Sequence, residues 1–176
     1  YNLSSLNSPV NGSATVTLAG LRMADLGGGS DYTVDGGASA SLAGSLDNGS
    51  LTQTAILTPT AGTSIVNNTL ALRATLAGGS LTVSSTTRVS DDQLTASRVS
   101  YSNFAFTVAG TPYLAQGSLV LAYAGTSGAL TSGTGEITLF SNGTQIGRLF
   151  FGSGGLQIEV NGRVQPFAAP GAGAWR

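Results

Sequence analysis

Apolar and polar positions alternate along most of the chain in short runs broken by glycine, and a helical period of three to four residues is hard to find anywhere. That period of two, in stretches rich in Val, Ile, Thr, Leu and Ser, predicts β-strands. The clearest pair is Gly135–Ser141 and Thr144–Phe151, which flank Asn142-Gly143. An Asn-Gly pair between two such runs predicts a two-residue hairpin, because a type I′ turn needs positive φ at both central residues. The turn sets a register with Phe140 opposite Gln145, Leu139 opposite Ile146 and Ile137 opposite Arg148. Apolar residues then fall on both faces of the hairpin, so part of the second face is expected to meet another sheet or another chain.

Strict alternation continues in Leu156-Gln157-Ile158-Glu159-Val160, followed by Asn161-Gly162 and a short run to Phe167. Residues 134–167 therefore read as a four-stranded antiparallel meander. Upstream, strands are expected near 13–22, 50–57, 69–76, 80–89, 95–109 and 113–123. Turns are expected at Asp35-Gly36-Gly37, Asp47-Asn48-Gly49 and Gly78-Gly79. Residues 24–49, which contain Gly27-Gly28-Gly29, read as a long loop or a weakly paired edge. The recurrence of Leu-Ala-Gly or Val-Ala-Gly at 18–20, 42–44, 76–78 and 108–110 reads as repeated strand-exit chemistry.

The fold class is thus all-β: an antiparallel sandwich or partly open barrel of nine to eleven short strands. Residues 13–167 form one domain, with an extended N-terminal arm over 1–12 and a C-terminal tail over 168–176. A length of 176 residues with 41% hydrophobic content suits one core and not two.

Composition moves the expectation toward a surface or secreted setting. Charged residues make up 9% of the chain, against roughly 25% in average soluble domains, and Gly, Ser, Thr, Ala and Asn fill the polar positions. A start at Tyr1 is what a processed secretory protein would show. The expected location is extracellular or cell-surface, with the periplasm as the alternative. Seven scattered arginines, no lysine and a net charge of −1 argue against nucleic acid as a partner. The same near-neutrality leaves little repulsion between copies, which favours self-association. No apolar run is long enough for a helical membrane span, and a transmembrane barrel would want more aromatic girdle residues than 7% supplies.

With no His, Cys or Lys, the chain has no Ser–His–Asp or Cys–His nucleophile, no lysine Schiff base, no disulfide and no ordinary zinc site. Glu136 and Glu159 are the two glutamates and could form a glycosidase pair; as strand residues they are expected to face solvent. No catalytic residue is assigned. Asp25, Asp31 and Asp35 surround a glycine run and are weak candidate ligands for calcium, the one cofactor the residues suggest. Asp91-Asp92 reads as a polar turn. Asn2, Asn11, Asn48, Asn67 and Asn142 begin Asn-x-Ser/Thr triplets, several of which are also turns. Phe104, Phe106 and Val108 share a strand face and read as a core stripe, with an apolar cavity as the alternative.

The function these features favour is structural. The chain is expected to be a self-associating filament or adhesin-like subunit, joined to other copies by strand pairing or donation. Ala14, Val16 and Leu18 are the candidate assembly-strand residues. The alternative is a periplasmic or lipoprotein-type β-domain that binds an apolar ligand or a carbohydrate. Ice binding by Thr-rich strands would need longer, more regular threonine ranks than Leu51-Thr52-Gln53-Thr54 provides.

Overall fold

The computed structural model describes residues 10–23, 31–124 and 129–167, which form eleven strands and no helix. The strands are β1 (Val10–Met23), β2 (Tyr32–Asp47), β3 (Ser50–Pro59), β4 (Ser64–Asn67), β5 (Leu72–Arg88), β6 (Gln93–Val108), β7 (Thr111–Tyr123), β8 (Leu130–Ser141), β9 (Thr144–Gly152), β10 (Gly155–Val160) and β11 (Arg163–Pro166). All belong to one antiparallel sheet, in the order β1-β2-β3-β5-β6-β7-β8-β9-β10-β11, with β4 between β2 and β5. The protein is all-β, and the C-terminal meander of β8 to β11 lies where the alternation places it.

Turn chemistry explains the hairpins. Asn48-Gly49, Asn142-Gly143 and Asn161-Gly162 each have positive φ at both residues, between 48° and 75°, as a type I′ turn requires. Asp91-Asp92 makes the β5–β6 turn, with Arg88 paired to Asp91 at 3.3 Å.

Several elements differ from the expectation. Residues 32–47 are no loop: β2 is a full strand, paired to β1 on one side and to β3 and β4 on the other. Its alternation is carried by small residues, Ala38, Ala40, Leu42 and Gly44 on one face against Ser39, Ser41, Ala43 and Ser45 on the other. Asp35-Gly36-Gly37 accordingly lies within β2 and is not a turn. Gly78-Gly79 is also not a turn but an irregularity inside β5, where the β5–β6 register shifts on both sides of Gly78. Only a glycine fits at 79, since a Cβ there would lie 2.1 Å from the Asn103 carbonyl oxygen. The strands expected at 69–76 and 80–89 are therefore one.

β3 and β4 occupy one slot, end to end. Residues 38–47 of β2 pair with β3 and residues 32–35 with β4, while β5 pairs with both. The Thr60–Thr63 turn interrupts this slot, and Thr63, buried at 6% exposure, repairs the gap with its hydroxyl. Thr63 Oγ1 accepts from the Gly37 N–H at 2.9 Å and donates to the Gly37 carbonyl at 2.8 Å.

The hairpin register also differs. Phe140 lies opposite Gln145 as expected, but Leu139 lies opposite Gly147 and Ile137 opposite Leu149. Ile146 is the extra residue of a β-bulge, and it shifts every later pair by one. Ile137 and Leu149 thereby share a face, and Arg148 moves to the other beside Glu136.

The core forms where the sheet curls. Leu119 and Leu121 of β7 pack with Leu156 of β10, and Tyr123, Leu130, Ile137, Leu149 and Phe151 surround them. In a flat sheet β7 and β10 would stand roughly 14 Å apart, three strand spacings. Their contact requires β8 and β9 to bend around the apolar side, and β8 and β10 do come within 8 Å of each other. Glycines permit the bend: Gly133 and Gly135 sit on β8 opposite Leu121 and Leu119 and leave room on the concave side. Among the described residues the curl does not close the sheet, whose two ends are β1 and β11.

Candidate functional site

Residues paired across antiparallel strands share a face, so the register traces each face from strand to strand. Gly12, Leu42, Ala55, Val83, Val99 and Leu119 stand opposite one another across β1, β2, β3, β5, β6 and β7. A parallel row runs through Ala14, Ala40, Leu57, Leu81 and Tyr101. These rows form one apolar face, continuous with the core beneath the curl.

Its burial is one-sided. Leu119 is 2% exposed, whereas on the same face Val83 and Leu57 are 40% exposed, Val16 45% and Leu42 55%. The sheet buries its apolar side only where it curls on itself. Over β1, β2, β3 and β5 the same side lies open to solvent.

The opposite face is mostly hydroxylic. Ser13, Ser41, Thr82, Ser100 and Ser118 are linked through the same pairings, with Ile56, 40% exposed, between Ser41 and Thr82. Ser45, Thr52 and Thr86 are linked likewise, with Thr52 and Thr86 hydroxyls 3.3 Å apart. Such residues satisfy one another and water without ions. They explain how a 9% charged chain presents a solvated side.

The two ends differ. Between Val10 and Leu18 β1 pairs regularly with β2 and carries no ionisable side chain. A shift between Leu18 and Leu21, with Gly20 at φ 59°, ends this stretch. Beyond it, Arg22 binds Asp31 through Nε at 3.0 and 3.1 Å and through Nη2. β11 has four residues, among them Arg163 and Pro166.

Ala14 and Val16, read from sequence as assembly-strand residues, are exposed on the open apolar face, opposite Ala40 and Ala38. Leu18 lies opposite Gly36 in the ladder. Among the described residues β1 is an edge of its own sheet.

The candidate calcium ligands are not brought together. Asp25 lies outside the described residues. Asp31 is engaged by Arg22, whose guanidinium holds its carboxyl below the ordinary 3.8 by hydrogen bonding, with burial acting the other way. Asp35 accepts from the Gly20 N–H at 3.3 Å. Among the described residues no three His, Cys, Asp or Glu side chains converge in a way that could hold a metal.

Glu136 and Glu159 share a partner the sequence did not suggest. Arg148 donates from Nε to Glu159 at 2.7 Å and from Nη1 to Glu136 at 3.1 Å, with its guanidinium 4.4 Å above the Phe150 ring. Hydrogen bonds to the two carboxylates, Glu159 first, raise the Arg148 pKa above its ordinary value. Bulging at Ile146 makes this cluster, because it carries Arg148 to the face of Glu136. The aromatics of β6 and β7 pack on one another, Tyr101 against Phe104 at 5.4 Å and Phe106 against Tyr113 at 5.5 Å. Phe140 and Leu114 line a shallow, open hollow beside the Asn142-Gly143 turn.

No family model, curated protein or solved structure matches the chain. Among the described residues no helix is long and apolar enough to cross a membrane.

Proposed function

We propose that this chain is a structural subunit, a self-associating filament or adhesin-like protein of the cell surface or extracellular space. Copies join by strand pairing and by covering one another's apolar faces. The observation that carries this reading is the exposure gradient along one face, from 2% at Leu119 to 55% at Leu42. A contiguous apolar surface left open marks a surface that is covered in use. A free strand edge offers unpaired N–H and C=O groups to a further strand.

Low net charge supports the same reading, since copies with a net charge of −1 repel one another weakly. The secreted setting is favoured by a surface of hydroxyls and amides. Strand addition suits the geometry better than strand withdrawal, because β1 already pairs with β2 from Val10 to Met23 and donation would first have to break that ladder.

The experiment is sedimentation velocity of the full chain and of a Leu42→Ser/Leu57→Ser double variant across a concentration series. Association of the wild type that weakens in the variant is expected. A wild type that stays monomeric at every concentration contradicts the proposal, and a monomer that takes up an apolar dye or lipid on this face would replace it with ligand binding.

A further inference from the structure

We infer that two copies join through the Val10–Leu18 stretch of β1, antiparallel and related by a two-fold axis. This inference rests on the self-association proposed above and specifies its seam.

The two edges of the sheet are not equivalent. Natural sheets protect an edge by keeping it short, by placing Pro or charged side chains on it, or by bulging it out of line. β11 has three of these features: four residues, Arg163 and Pro166. Val10–Leu18 has none, with nine residues in unbroken register, no proline and no charge. Protection begins only past Leu18, where the ladder shifts and Arg22 is tied to Asp31.

Length selects the partner. A four-residue edge satisfies less than half of a nine-residue one, so the edge that matches β1 is β1 of a second copy. Pairing about a two-fold axis is self-complementary and closes after two subunits. Faces are preserved as well, since an axis perpendicular to the sheet keeps each face on its own side. Asn11, Ser13, Thr15 and Thr17 then meet their counterparts on the hydroxylic face. Gly12, Ala14 and Val16 meet theirs on the apolar face, and the open rows run unbroken from one copy into the other. Small residues at the seam leave room for this approach. The dimer doubles the uncovered apolar area, which remains available for stacking.

The chain has no cysteine, so engineered thiols report the seam without background. Asn11→Cys, Ser13→Cys, Thr15→Cys and Thr17→Cys place single thiols on exposed positions of the hydroxylic face. Val164→Cys, 53% exposed, marks the opposite edge. Each is oxidised alone and in pairwise mixtures, after circular dichroism has shown the fold intact. The expected result is one register: the combinations whose residue numbers share one sum, such as Ser13→Cys with Thr15→Cys and Asn11→Cys with Thr17→Cys, cross-link at least about tenfold faster than Val164→Cys with itself, because pairing raises the local thiol concentration.

Cross-linking of β1 thiols to Val164→Cys would overturn the seam while leaving self-association standing. So would oligomers in sedimentation with no β1 cross-link. Monomers throughout, with no cross-link, would remove both the seam and the proposed function.

Discussion

The ring of Phe151 occupies the space where a side chain at Gly133 would stand: a Cβ built on Gly133 lies 2.8 Å from the Cβ, Cγ and Cδ2 atoms of Phe151. Gly133 is on β8 and Phe151 on the neighbouring β9, so the aromatic ring lies across the strand it pairs with. This contact lets the sheet bend around Leu119, Leu121 and Leu156. Gly133→Ala is therefore expected to destabilise the fold by about 1–3 kcal/mol, as overpacking does. Gly12→Ala, with nothing within 4 Å of the new methyl, is expected to be neutral. Urea unfolding of the two variants checks both.

The same face should respond differently at its two ends. Leu119→Ala removes a side chain 2% exposed and is expected to cost about 2–5 kcal/mol. Leu42→Ala removes one 55% exposed and is expected to change the unfolding of the monomer by less than about 0.5 kcal/mol while weakening association. Denaturation at low concentration and sedimentation at high concentration separate the two effects. Equal destabilisation would mean that Leu42 is buried in the monomer.

Thr63 tests the repaired gap between β3 and β4. Thr63→Val keeps the shape and removes the hydroxyl that satisfies both the N–H and the carbonyl of Gly37. The Gly37 carbonyl still accepts from the Thr60 N–H at 2.8 Å, so the loss falls on the half-buried Gly37 N–H and is expected to cost about 1–3 kcal/mol, measured by urea unfolding. Thr63→Ser, which retains the hydroxyl, should recover most of it.

Asp31 gives a pH dependence with a fixed sign. Arg22 lowers its carboxyl pKa below 3.8, so the pair's contribution is complete above that value and is lost as the pH falls through the lower, folded one. An NMR titration should give Asp31 a midpoint below the ordinary value, moving up toward 3.8 in Arg22→Gln. A midpoint unchanged by that substitution would show that the ion pair does not persist in solution.

Much of this architecture was legible in the chain because turn chemistry is local. Asn48-Gly49, Asn142-Gly143 and Asn161-Gly162 announce their hairpins, and Leu156–Val160 announces its alternation. Features that depend on a partner strand were not. Gly36 and Gly37 look like a turn until Thr63 is seen to fill the gap beside them, and Gly78-Gly79 looks like one until Asn103 is seen to press against it. β2 was hidden because its period of two is written in Ala, Gly and Ser, whose hydropathy contrast is weak. Bulging at Ile146 has no marker in the sequence, and without it Arg148 falls on the wrong face and the Glu136–Arg148–Glu159 cluster cannot be foreseen. That Ala14 and Val16 share one face of a strand was readable from alternation alone. That they continue an open apolar face through Leu42, Leu57 and Val83 follows only from the register.

The decisive measurement of self-association through β1 is sedimentation velocity of the full chain over a wide concentration range, beside Thr15→Lys, Thr15→Glu and an equal mixture of the two. Thr15 is exposed on the hydroxylic face of β1, so either charge leaves the monomer intact and places like charges at the seam. Association of the wild type, weaker association of each variant alone and recovered association in the mixture are expected. A wild type that sediments as a monomer at every concentration would contradict self-association.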